Sequence, residues 1–229
     1  MNVAAVGADD LLSRPIVLVV ALAVVSLLPF AFMTVTAFVK IATVLQIVRS
    51  AIGAQSVPSG TVIMALAGAL TLLAMAPVGQ EIVDRAAPMF MGARPRDTTM
   101  MVREGMTAVI SPMREFLRRN ATEVERSRFL DVAKAARSRG ATARVDVAPD
   151  DLTVLVPAFV VTELTEAFAI GFLIYLPFLV IDLVVSNVLL ALGMQMMTPT
   201  QVSLPFKLLL FVAIDGWGLL ARALVAGYS

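Results

Sequence analysis

Neither cysteine nor histidine occurs anywhere in the 229 residues. Without cysteine there is no disulfide, no thiolate nucleophile and no thiolate metal site. Without histidine the commonest general base and metal ligand is missing too. Metalloenzymes and intramembrane proteases that rely on either residue are therefore excluded. Charge is scarce as well. Only 15% of residues are Asp, Glu, Lys or Arg, and the net charge of +1 gives no reason to expect a nucleic acid partner. No GxxxxGK[ST] phosphate loop is present, so nucleotide hydrolysis is not expected. No cofactor is implied by any motif.

What the chain has in excess is apolar surface. It is 59% hydrophobic with a mean hydropathy of +0.89, far above a soluble domain. Most of its charges fall between Gln80 and Asp151. Outside that window they are isolated, each interrupting an apolar run. The pattern predicts an all-α membrane protein. About four apolar, proline-kinked helical segments form hairpins, and one small helical insertion faces water outside the cytoplasm. The expected units are an N-terminal apolar hairpin (1–78), the charged periplasmic insertion (79–150) and a C-terminal apolar hairpin (151–229).

The first apolar run, residues 15–39, is long enough to cross a bilayer, which takes roughly 20 residues. Lys40 is expected to end it. A helical stripe then continues through Ile41, Val44, Leu45, Val48 and Ile52 to Gly53. Residues 57–60 (VPSG) read as a turn before a second run at 61–78. In the insertion, Pro88, Gly92 and Pro95 mark a loop, and Asp97 is placed to cap a helix through Ile110. Ser111-Pro112 would start another, and Thr122-x-x-Glu125 is a capping box for a helix that Gly140 closes. Met113, Phe116, Leu117, Phe129 and Leu130 would form its small core. The tripeptide Leu-Pro-Phe occurs at 28–30, 176–178 and 204–206, where a helix-interior proline frees a carbonyl that lipid cannot satisfy. Such helices suit an assembly better than isolation in lipid.

Lys40, Glu163, Glu166, Asp182, Lys207 and Asp215 lie in or beside apolar runs. A central charge costs roughly 2.5–3.5 kcal/mol in a bilayer. These residues must pair with one another, meet partner subunits or line water. The mixed signs make structural pairing the favoured reading, and Asp182 and Lys207 are expected at subunit contacts. Lys40 and Arg49 flank the first connector. By the positive-inside rule it starts in the cytoplasm, with the N-terminus and the insertion outside. One rival is a small ion or proton-coupled transporter using the intramembrane carboxylates. Another is a carboxylate enzyme using Asp182 and Asp215, although neither sits in a Gly-Asp protease signature.

Three strings are long and unusual: FLIYLPFLVIDLVVSNVLLALGM, SLPFKLLLFVAIDGW and LLPFAFMTVTAFVKIATVLQIVRSAIGAQSVP. With ALTLLAMAPV and PMREFL they closely resemble the FliP/SctR family, whose members include YscR, HrcR and SpaP. The resemblance covers nearly the whole chain. It implies a non-enzymatic core protein of the type III secretion or flagellar export apparatus in the bacterial inner membrane. A homopentamer would join FliQ/SctS-type and FliR/SctT-type membrane subunits and other export-apparatus proteins. The apolar segments, bent and largely lifted out of membrane lipid, would enclose the path of unfolded secretion substrates. The short N-terminus and the wording ALGMQ lean to an injectisome.

In the family, a Met-rich loop between the last two apolar segments closes the lumen. The resemblance assigns that role to Met194, Met196 and Met197, with Gln195 where the family typically has another methionine. A physical reason is available. A hydrophobic constriction blocks ions by dewetting, and unbranched, flexible Met can repack around any chain that passes.

Overall fold

The computed structural model describes residues 8–53, 58–90, 98–140, 147–194 and 196–228, and these are all-helical. In chain order the helices are α1 (Ala8–Val35), α2 (Phe38–Ile52), α3 (Gly60–Ala74), α4 (Ala76–Phe90), α5 (Thr98–Asn120), α6 (Glu123–Gly140), α7 (Leu152–Ala191), α8 (Pro199–Ala213) and α9 (Gly216–Ala226). Among the described residues, α7 qualifies by itself as long and apolar enough to cross a membrane. Three further pairs qualify when each is taken as one broken span: α1 with α2, α3 with α4, and α8 with α9. Their bends are 70°, 53° and 58°.

None of the three sharp breaks falls at a Leu-Pro-Phe proline. Pro29, Pro177 and Pro205 all lie inside continuous helices. The first and last breaks each have a local cause. At the first, the Thr36 hydroxyl donates to Phe32 O (2.6 Å) and accepts from Phe38 N (3.4 Å). One side chain thus closes one helix and opens the next. Lys40 consequently belongs to the first turn of α2 and ends nothing. At the last break, Asp215 takes the left-handed conformation (φ 51, ψ 50) that Asp tolerates better than most residues. Gly216 follows because a Cβ there would lie 2.3 Å from the Phe211 ring.

α2 is the centre of the bundle. Ile41, Val44, Leu45, Val48 and Ile52 are all buried, in one core with Ile63 and Ala67 of α3, Ala167 and Phe178 of α7, and Phe211 of α8. α7 approaches α2 closely at Gly171, where a Cβ would stand 2.5 Å from Ile47 Cδ1 and 3.2 Å from its Cβ. Gly171→Val should therefore cost about 1–3 kcal/mol of overpacking, read as a lower thermal midpoint in detergent. An unchanged midpoint would mean that the two helices separate without penalty.

The charged region is built differently from its expected form. α4 runs through Pro88 to Phe90, and α5 is unbroken through Pro112. Ser111 starts no helix; its hydroxyl accepts from Arg85 (2.8 Å). The Thr122 N–H is taken by the Thr162 hydroxyl of α7 (3.1 Å), while Glu125 pairs with Arg128. Gly92, Pro95, Asp97 and Val57 lie outside the described residues.

Among the described residues, the insertion shares its core with α7. Phe116, Leu117 and Ala121 are buried against Leu155, Ala158 and Phe159 of α7, with Phe129 partly buried beside them. Met113 and Leu130 are only half-buried. Among its exposed ion pairs, hydrogen bonds from Arg118 and Arg119 hold the Glu115 carboxyl down to about 2. Such exposed helical pairs contribute only a few tenths of a kcal/mol.

Candidate functional site

The six charges of the apolar segments, joined by Arg222, resolve into three clusters. In the first, Lys40 of α2 reaches two carboxylates of α7, Glu163 at 3.0 Å and Glu166 at 2.7 Å. Glu163 and Glu166 are three residues apart, so both face the same side of the helix. Lys40 and Glu163 are almost completely buried; Glu166 is half exposed. Glu163 is also held by Tyr228, whose hydroxyl donates to the carboxylate oxygen that Lys40 leaves free. The oxygen facing Lys40 has ion-pair distance without hydrogen-bond alignment.

Tyr228 is the residue that sequence reasoning missed. It follows α9, carries no charge and sits in no motif. Yet its ring lies under the Lys40 ammonium, 4.5 Å from Nζ, and stacks on Phe116 of α5 at 6.0 Å. One side chain therefore connects the buried ions to the charged cap, with a cation–π contact strengthened by desolvation. Tyr228→Phe keeps the ring and loses only the hydroxyl, at an expected cost of about 1–3 kcal/mol for an under-satisfied carboxylate. Tyr228→Leu should lower the detergent melting point further, and equal drops for the two variants would contradict a role for the ring.

The second cluster is Lys207 of α8 with Asp182 of α7, at 2.6 Å. Its remaining hydrogen bonds are supplied around it. Lys207 donates to the Ala51 carbonyl near the end of α2 (3.1 Å), and Ser203 donates to Asp182. Ser203 lies one helical turn before Lys207, a spacing from which a shared face can be read. The two residues expected at a subunit contact thus meet each other inside one chain. The third cluster, Asp215 with Arg222 (3.2 Å), is exposed on both sides.

The methionine bend is a short, closed connection. α7 stops through a left-handed Gly193 (φ 74), with Gly193 N–H donating to Leu190 O and Met194 N–H to Leu189 O. This is the paired hydrogen-bond pattern of a Schellman stop. Pro199, at the first position of α8, sets the restart. Between stop and start the methionines have nowhere to bury. Met194 and Met197 are 41% and 45% exposed, and Met196 is 97% exposed. Gln195 lies outside the described residues. Behind the bend, Val184, Val188, Val202 and Phe206 line an open, wholly apolar cleft of about 450 Å³ between α7 and α8.

The model of the FliP family matches residues 21–224. The chain is 43% identical over 211 residues to the hypersensitivity response secretion protein HrcR of Ralstonia nicotianae, covering 92% of this chain and 96% of that one. It is 43% identical over 214 residues to the Yop proteins translocation protein R of Yersinia pestis, covering 93% and 95%. It is 39% identical over 220 residues to the flagellar biosynthetic protein FliP of Caulobacter vibrioides, covering 96% and 78%.

Proposed function

The chain belongs to the FliP family, and from that premise we propose that it is a wall subunit of a protein-export gate whose Met bend seals the conduit at rest. Family membership supports a role in the type III secretion or flagellar export apparatus. The finer reading is a homopentamer joined by FliQ/SctS-type and FliR/SctT-type subunits in the bacterial inner membrane, passing unfolded substrates. It works as a non-enzymatic scaffold and pore.

The observation that carries this reading is the length of α7. Its 40 residues make a rod of about 60 Å, against a hydrocarbon core of about 30 Å. Fitting it into lipid would need a tilt of about 60°, beyond the usual range of roughly 0–40°. Part of this apolar helix must therefore be covered by protein. One chain covers only part of it: Leu155, Ala158 and Phe159 are buried under the insertion, whereas Phe172, Leu173, Leu183 and Val188 are all more than half exposed. Neighbouring subunits are the covering that such a surface requires. The ion-transporter alternative is disfavoured because every intramembrane carboxylate named above already has a basic partner.

Native mass spectrometry of the solubilised protein, alone and co-produced with its partner subunits, tests the reading. Five copies plus the two smaller membrane proteins is the expected species. A lone, stable monomer in every preparation overturns it.

A further inference from the structure

The hairpin of α7 and α8 is pinned at two levels and open between them. At its tip, the left-handed Gly193 and Pro199 fix the turn. Further down, Lys207 and Ser203 of α8 both bind Asp182 of α7. The apolar cleft runs along this stretch, lined by Val184, Val185, Val188 and Leu189 of α7 and Val202 and Phe206 of α8. Most of these are valines, whose short side chains are stiff at χ1 and do not extend across a gap. Closing the two helices on the cleft would strain the Asp182 bridge, so the space is held open.

The occupant of this cleft must be apolar, because its lining offers no polar surface. A neighbouring helix, about 10 Å across with its side chains, would cover the mouth of a 450 Å³ cleft without filling it. Single flexible side chains fit better, and the hairpin carries them at its own tip. The Met194 N–H donates to the Leu189 carbonyl (2.9 Å). In a Schellman stop, the residues joined by this bond commonly share an apolar contact, and Leu189 belongs to the cleft. The Met197 N–H donates to Met194 O (3.3 Å), which brings a second thioether to the same end. Met194 and Met197 are already half covered, in contrast to Met196. At about 30 Å³ per water-sized group, the 450 Å³ holds roughly 15 such groups, more than two methionine side chains need.

We propose that the cleft between α7 and α8 is the receptacle into which Met194 and Met197 of the same hairpin withdraw when the gate opens. At rest the thioethers close the conduit. When a chain passes, they turn back between Val188 and Val202. They exchange one apolar setting for another, so opening does not drive apolar surface into water. The backbone turn stays in place, because an unbranched side chain with three rotatable bonds makes the change alone.

The proposal rests on the export-gate reading and on the sealing role of the bend. Val184→Phe fills the cleft from α7, and Val202→Phe fills it from α8. Val184 is 54% exposed, so the fold tolerates a larger side chain there. Each substitution is made alone in the full-length chain, in the wild-type background and in the Met194→Gly/Met196→Gly/Met197→Gly background. Three quantities are read: complex recovered with the partner subunits, its resting conductance in a planar bilayer, and export of one of the organism's own secreted proteins from cells.

In the wild-type background, each filling should leave recovery and resting conductance unchanged. Export should fall at least about tenfold, the factor that about 1.4 kcal/mol of added barrier gives. In the triple-glycine background, the same filling should leave export as it was, because no side chain needs storing. Unchanged export in the wild-type background overturns the proposal. So does an equal fall in both backgrounds, which marks a general obstruction. Loss of recovered complex also overturns it and assigns the cleft to a neighbouring subunit. If the triple-glycine complex does not leak, the sealing role fails and takes the receptacle with it; if it leaks and filling changes nothing, only the receptacle is lost.

Discussion

Replacing Lys40 by Met should destabilise the protein by about 3–5 kcal/mol, the cost of leaving a buried charge without its partner. The reason is geometric. Glu163 is fully buried, and among the described residues the cation it meets is Lys40 at 3.0 Å. The Tyr228 hydroxyl cannot replace a full charge. The variant also loses the cation–π contact with the Tyr228 ring, which holds the cap helices through Phe116. Melting in detergent, followed by helical circular dichroism, should fall sharply. Combining Lys40→Met with Glu163→Gln should recover part of the loss, because the buried group is then neutral and keeps a hydrogen bond to Tyr228. A Lys40→Met protein that melts like wild type would show that the buried cluster stabilises nothing.

Replacing Met194, Met196 and Met197 together by Gly should make assembled complexes leak ions at rest. A hydrophobic constriction resists ions because water withdraws from it. Shortening three thioether side chains to hydrogen widens the gap and wets it. A barrier reduced by only about 1.4 kcal/mol raises the flux about tenfold, so the leak should be at least of that order in a planar bilayer. Assembly should be unaffected, because the three side chains are largely exposed and the turn is set by Gly193 and Pro199. Leu at the three positions should restore the resistance, since Leu is equally apolar. Normal assembly with unchanged resting conductance would remove the sealing role.

The limits of sequence reading are visible residue by residue. The α2 stripe from Ile41 to Ile52 was legible because helical periodicity is local and its amphipathic face has one way to turn. So was the Met bend, since left-handed glycine stops and Thr-Pro starts act over a few residues. The breaks were not legible. Leu-Pro-Phe drew attention to proline, yet two of the three sharp breaks sit at Thr36 and Asp215, where a side-chain hydrogen bond and a left-handed residue decide. The same holds for the cap. Thr122 and Glu125 fit a capping box, but Thr162, forty residues away along the chain, takes the N–H instead.

Composition and periodicity by themselves determined that this protein is helical, apolar and burdened with charges that cannot face lipid. Those properties depend on residue type and near neighbours, which a sequence displays directly. Only the tertiary structure decided which charge meets which. It set Lys207 against Asp182 within one chain, placed Tyr228 between the buried ions and the charged insertion, and brought Lys40 to both Glu163 and Glu166. Ion pairing depends on distances of a few ångströms between residues that can be far apart in the chain, as Lys40 is from Glu163 and Glu166, and packing sets those distances, whereas spacing along the chain does not.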